Sequence, residues 1–179
     1  KIGNYAFSGC SSLTKITIPS SVRSFGSGVF RGCSKLKQIT IETREDKEIN
    51  LKMIDNEFLV GKSNETNETN DQYNILHFVI PNSKTLKIPT SIEIIGDYSF
   101  SESTTLKQIS IPTSVTQIGI GAFNGCTSLV EISIPSSVTQ IKKSTFKGCS
   151  SLTKIEIPSS VTEIGKSAFK KCSSLTQIS

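Results

Sequence analysis

Six phenylalanines set the rhythm of this chain: Phe7 and Phe30 lie 23 residues apart, and Phe100, Phe123, Phe146 and Phe169 continue at the same step. The first complete unit reads Leu13-x-x-Ile16-x-Ile18-Pro19-x-Ser21-Val22-x-x-Phe25-Gly26-x-x-Val29-Phe30-x-Gly32-Cys33. A unit this short cannot bury its apolar side chains alone. Stacked on identical neighbours it buries them all, so a fixed period of this length predicts one elongated solenoid rather than a globular domain. Hydrophobic residues make up only 35% of the 179-residue chain, yet they fall in fixed columns. Each rung therefore buries about six large apolar side chains, worth roughly 1.5–3 kcal/mol apiece against the entropy of ordering a short polar repeat.

Other columns run in parallel. Cys10 and Cys33, then Cys126, Cys149 and Cys172, keep the step, with Ser103 where a further Cys is expected; Pro19, Pro89, Pro112, Pro135 and Pro158 form a second series. Between Phe30 and Phe100 the spacing is one residue off a whole number of repeats, which marks an insertion. The organisation read from this is repeats over 1–41, an irregular insertion over 42–80 and repeats over 81–179, in one continuous solenoid. Both termini fall mid-repeat without an atypical capping unit, so the expectation is a fragment of a longer protein.

Within a rung, Lys15-Ile16-Thr17-Ile18 alternates polar and apolar residues, the pattern of a strand with one buried face. Each rung is expected to give one short strand to a parallel sheet, ended by a proline that has no N–H for the ladder. Ser21, Ser91, Ser114, Ser137 and Ser160 place a hydroxyl on each rung, suited to bonding otherwise orphaned turn backbone. Val22 and Phe25 and their counterparts point back inward. Gly26, Gly96, Gly119 and Gly165 suit a tight or positive-φ backbone, although Lys142 shares their column. The Ala-Phe-x-Gly-Cys stretch reads as a helical turn on the convex side with its Phe in the core.

The spacing L-x-x-I-x-I resembles the leucine-rich repeat. The combination I-P-S-S-V-x-x-I-G-x-x-A-F-x-G-C-S-S-L resembles its BspA-like subclass, and residues 134–157 match it except at Lys142 and Thr145. The resemblance covers about 1–41 and 80–179. It implies a leucine-rich repeat solenoid with a parallel β-sheet on the concave face, short strands and helical turns on the convex side, and one inserted β-hairpin. The usual Asn column of leucine-rich repeats is missing, and the Ser column stands in its place. Many BspA-like proteins are microbial adhesins for host matrix proteins or cells. By that resemblance the expected partner is a host matrix or cell-surface protein, and the expected location is the cell surface or the exterior. The phrasing of the repeats also resembles that of parasitic protist proteins.

In the insertion, 56–60 and 73–80 read as two strands around a polar loop over 61–72, a β-hairpin. The loop carries Asn64-Glu65-Thr66 and Asn67-Glu68-Thr69, two N-glycosylation sequons at Asn64 and Asn67. They have meaning in a secreted eukaryotic protein and also arise by chance in polar low-complexity sequence. Residues 42–71 hold nine acidic and four basic side chains inside a chain of net charge +5, so the insertion is acidic and the repeats are basic.

Little of the chemistry points to catalysis. There is no C-x-x-C, and the one histidine, His77, lies in the insertion, which argues against zinc. Cysteines on stacked rungs have parallel Cβ vectors, so buried reduced thiols acting as small core residues are expected rather than disulfides. No nucleophile elbow, phosphate loop or paired-carboxylate motif occurs, and His77 lacks an evident partner and pocket; the chain reads as non-enzymatic, without cofactor. No stretch is long and apolar enough to span a membrane, and no signal-peptide pattern opens the chain.

Binding is the remaining class. The outward strand positions form two columns: Lys15, Gln38, Thr85, Gln108, Glu131, Lys154 and Gln177; and Thr17, Thr40, Lys87, Ser110, Ser133, Glu156 and Ser179. Both are polar and lack aromatic anchors, so binding through them would rest on low affinity per rung multiplied by repetition. A hydrated face of short side chains is the alternative. Lys142, Lys143, Lys147, Lys154, Lys166, Lys170 and Lys171 face only Glu156 and Glu163 in the same stretch, a basic surface able to attract sulfated glycan or acidic protein, or merely to keep the solenoid soluble. Nucleic acid is not expected, because no aromatic platform or Arg array accompanies the lysines. Two further readings compete with adhesion: an intracellular protein-interaction scaffold and an architectural spacer.

Overall fold

The computed structural model describes residues 1–22, 24–43, 50–62 and 73–179. Its concave strands are β1 (Lys15–Ile18), β2 (Gln38–Ile41), β6 (Thr85–Lys87), β8 (Gln108–Ser110), β10 (Glu131–Ser133), β12 (Lys154–Glu156) and β14 (Gln177–Ile178). Parallel pairing joins β1 to β2, β6 to β8, and β10 to β12 to β14, always between residues 23 apart, as in Ile16 with Ile39 and Ile132 with Ile155. Because the register equals the repeat, like stacks on like. Phe7 and Phe30 stack at 5.7 Å between ring centroids, and Phe100, Phe123, Phe146 and Phe169 form a continuous stack at 4.8 to 5.5 Å.

The rungs carry a second ladder that the sequence did not announce. β7 (Ile94–Ile95), β9 (Gln117–Ile118), β11 (Gln140–Ile141) and β13 (Glu163–Ile164) follow the Pro-x-Ser turn, with β7 parallel to β9 and β11 parallel to β13. Two residues are too few for an alternating pattern, so only their inward apolar residue was legible. The expected Ser hydroxyls do hold the turns: Ser114, Ser137 and Ser160 donate to the carbonyls of Ile92, Val115 and Val138 one rung earlier, at 2.8, 2.6 and 2.9 Å.

The convex side differs from the helical turn expected. Among the described residues it is a chain of turns, with Asn124 N–H donating to the Gly121 carbonyl, Cys126 to Phe123 and Leu129 to Cys126 at 2.9 to 3.2 Å. Two left-handed residues per rung prevent a right-handed helix from propagating. One column runs through Tyr5, Gly28, Tyr98, Gly121, Ser144 and Ser167, and the other through Gly9, Gly32, Glu102, Gly125, Gly148 and Lys171, with φ between 57° and 79°. The Gly26 column is not among them. Its glycines are needed for close approach, since a Cβ at Gly119 would lie 2.5 Å from the Asp97 nitrogen of the rung below.

The five cysteines are free; Cys33, Cys126 and Cys149 are buried as expected, whereas Cys10 on the first rung is exposed and Cys172 half-buried, and most of them do more than fill space. The thiols of Cys33, Cys126, Cys149 and Cys172 donate to the carbonyls of Phe7, Phe100, Phe123 and Phe146, at 3.0 to 3.2 Å. Burial raises the Cys33 thiol to about 11 and Cys126 to about 12. Cys149 is raised as well, first by its bond with the Cys172 thiol and then by burial.

The insertion contains the expected hairpin, β4 (Phe58–Lys62) antiparallel to β5 (Tyr73–Val79), and adds β3 (Leu51–Ile54) along the outer side of β4. It is not an appendage. β5 pairs in parallel with β7, so the hairpin enters the second ladder as if it were a rung. Its two faces serve two cores: Leu59, Phe78 and Ile80 pack with Phe30 and Leu36, while Phe58, Val60, Leu76 and Val79 pack with Ile95 and Phe100. The Phe78 ring meets Phe30 edge-on at 5.3 Å, taking over the phenylalanine column where the period breaks.

Candidate binding face

The parallel ladder decides where the outward strand residues stand. Flanking residues bury Ile39, Leu86, Ile109, Ile132 and Ile155, so positions one residue to either side must face solvent. Lys15, Thr17, Gln38, Thr40, Lys87, Gln108, Ser110, Glu131, Ser133, Lys154 and Glu156 are all exposed. In register, Lys15 stands beside Gln38 and Thr17 beside Thr40; Lys87 stands beside Ser110; Glu131 stands beside Lys154 and Ser133 beside Glu156.

These residues form two groups. Among the described residues, β2 is paired to β1 and not to β6, so the insertion divides the concave face. On the C-terminal side, Gln108, Glu131, Ser133, Lys154 and Glu156 line a shallow depression of about 310 Å³ floored by Ile109 and Ile132. Its rim is organised by side-chain bonds: Gln108 Nε2 donates to Glu131 Oε1 at 3.3 Å, and Lys154 Nζ donates to Glu156 Oε1 at 2.7 Å. That contact raises the Lys154 ammonium and lowers the Glu156 carboxyl, so both stay charged across the neutral range. Such a depression can offer paired charges and a carboxylate to a polar ligand above an apolar floor.

On the N-terminal side, Gln38 and Thr40 border a larger groove of about 560 Å³ between β2 and β3. Its wall includes Ile41, the last periodic residue before the insertion, together with Leu51, Lys52, Met53 and Asn56, which the repeat pattern could not assign because they lie outside the period. Lys52 reaches over the Tyr73 ring at 4.2 Å. Lys15 and Thr17 lie one strand further out. The sequon residues Asn64 and Asn67 lie outside the described residues.

His77, dismissed as a catalytic base, sits on β5 against the Phe25 ring at 5.3 Å, and burial lowers its imidazole to about 4. Among the described residues no group of three His, Cys, Asp or Glu side chains is placed to hold a metal. No helix among them is long and apolar enough to cross a membrane.

With that geometry in hand, residues 1–67 and 76–179 match the BspA type leucine rich repeat region, in six copies. The chain belongs to the BspA-type leucine-rich repeat family. Solved structures agree. A leucine-rich cell surface protein of Faecalibacterium prausnitzii is 31% identical, with a TM-score of 0.73 over 98% of this chain and 50% of that one. The pneumococcal vaccine antigen PcpA is 27% identical, with a TM-score of 0.79 over 93% of this chain and 38% of that one. A leucine-rich repeat protein of Eubacterium ventriosum, 24% identical with a TM-score of 0.66, shares the fold. This chain thus spans half or less of the first two proteins. No curated protein matches it.

Proposed function

We propose that this BspA-type repeat protein is a non-enzymatic adhesion module, displayed on a cell surface or secreted, that recognises a host matrix or cell-surface protein through its concave face. The carrying observation is the depression over β8, β10 and β12, where the period aligns Gln108, Glu131, Ser133, Lys154 and Glu156 around an apolar floor. The leucine-rich cell surface protein that this chain resembles supports the location. Single rungs with short polar side chains bind weakly, and repetition of the same chemistry supplies avidity.

The test is biolayer interferometry of the chain against immobilised laminin, fibronectin and collagen, with Glu131→Ala, Lys154→Ala and Glu156→Ala combined. The triple variant should lose at least about tenfold in affinity for whichever protein binds, equivalent to about 1.4 kcal/mol. Unchanged affinity with unchanged thermal stability removes the C-terminal depression from the interface. Failure to bind any matrix protein, with capture of an intracellular partner instead, favours a scaffold, the reading that five unpaired cysteines also suit.

A further inference from the structure

The lysines at the C-terminal end do not form one surface. Lys154 faces the concave side and is held by Glu156. Of the other six, Lys143, Lys147, Lys166, Lys170 and Lys171 belong to the convex turns of the last two rungs, and Lys142 stands just before them, beside Gln117 and Gln140 of the second ladder. Backbone bonds fix how they stack. Gly121 N–H donates to the Lys143 carbonyl and Ser144 N–H to the Lys166 carbonyl, both at 3.0 Å. In the next column Gly125 N–H donates to Lys147 and Gly148 N–H to Lys170, both at 2.8 Å. Lys143 therefore stacks with Lys166 and Lys147 with Lys170 at the strand spacing of about 5 Å.

Among the described residues, nothing acidic is paired with this charge. From 119 onward the acidic residues are Glu131, Glu156 and Glu163, all on strands. The Glu163 carboxylate accepts from Gln140 Nε2 at 3.1 Å. Among the described residues, none of the six lysines is ion-paired.

Nor does the fold ask for lysine here. Lys171 adopts φ 65° in the column that uses glycine at Gly9, Gly32, Gly125 and Gly148. Lys142 occupies the close-approach column of Gly26, Gly96, Gly119 and Gly165, where a Cβ would meet the rung below. Backbone conformation at Lys171 and close approach at Lys142 do not select lysine, so folding does not explain it there. What the two positions share with their neighbours is charge.

We infer that the convex turns of these two rungs bind a linear sulfated polysaccharide. Paired cations repeating along the solenoid axis fit a chain that carries its sulfates at regular intervals. In these two rungs the convex columns present serine, glycine and lysine, and Phe146 and Phe169 are turned into the stack, so bases find no ring to stack on there. This surface lies apart from the concave face, and its occupant is a different polymer.

Heparin is the probe, with affinity measured by calorimetry at low and at physiological salt. Replacing Lys143, Lys147, Lys166 and Lys170 by Ser should weaken binding at least tenfold and flatten its salt dependence. Replacing Lys1, Lys35, Lys84 and Lys107 by Ser removes the same charge elsewhere and should change affinity less than twofold. Equal losses from the two sets would reduce the effect to net charge and overturn the assignment. So would undiminished binding of fully desulfated heparin, or tighter binding of single-stranded DNA or phosphatidylserine vesicles than of heparin. Melting curves of both variants should overlay the parent; a variant that melts early is replaced by Lys143→Gln with Lys166→Gln, which must show the same loss.

Discussion

Two buried hydroxyls, Ser99 and Ser103, find no hydrogen-bond partner among the described residues. Both lie on the rung that follows the insertion. Ser103 holds the cysteine position, but the rung below it is the hairpin rather than a repeat, so it lacks the phenylalanine carbonyl that every other buried thiol in the column uses. Ser99 stands where the repeat has Ala122 and Ala168. An unsatisfied buried hydroxyl costs about 1–3 kcal/mol, so Ser99→Ala should raise stability by about 1 kcal/mol in denaturant melts. A fall would show that the hydroxyl is bonded after all. The column logic that explains these residues was visible in the sequence. The left-handed columns were not, because Tyr5, Tyr98, Ser144 and Ser167 share no chemistry with Gly28 and Gly121. What unites them is backbone hand, and the Tyr98 ring lying over Gly121, where a Cβ would fall 2.4 Å from the ring edge, shows the neighbouring rung yielding space.

At the scale of the element, the hairpin was legible and its place was not. Phe58 to Val60 and Tyr73 to Val79 carry strand-forming residues in runs, which identified the strands. A run with both faces apolar also means burial on both sides, and β4 is buried from Phe58 to Gly61. The charge of the loop lies outside the strands and gives no sign that the strands themselves are buried. β3 escaped notice because Leu51-Lys52-Met53-Ile54 is short and lies in the acidic segment. Leu76 packs in the core shared with Ile95 and Phe100 and not in the one around Phe30, so removing it should weaken one flanking core relative to the other. Leu76→Ala opens a cavity at a fully buried position and should cost about 2–5 kcal/mol. It should also separate one unfolding transition into two, read by circular dichroism against denaturant. A single sharp transition with a small shift would mean that the two cores communicate by another route. The concave columns were legible by alternation alone; the groove of Met53 and Lys52 beside Thr40 was not, since it joins a periodic strand to an aperiodic one.

Across the whole molecule, the two repeat arrays meet at His77, Phe25 and the backbone of Ile95 and Gly96, around a cavity of about 260 Å³. Burial lowers the His77 imidazole from 6.5 to about 4 in the folded chain. Above pH 6.5 the ring is neutral in both states and its contribution to stability is intact. As the pH falls, the unfolded chain takes up a proton that the folded chain refuses, and stability declines until about pH 4. The full loss approaches about 3 kcal/mol. His77→Gln should flatten the melting temperature between pH 6.5 and 4 relative to the parent. An unchanged slope would assign acid sensitivity to carboxylates instead.

The thiol-to-carbonyl bond that joins each repeat to the one before has a genetic corollary. Any unit after Phe100 presents to its neighbour the same carbonyl, the same thiol and the same ring, so unequal crossing-over in whole multiples of 23 codons leaves every contact intact. A duplication beside Phe78 enjoys no such freedom, because there each neighbour was tailored to a strand that is not a repeat. Variation in copy number between related genes should accumulate on the carboxyl-terminal side of the hairpin and stop at its edge.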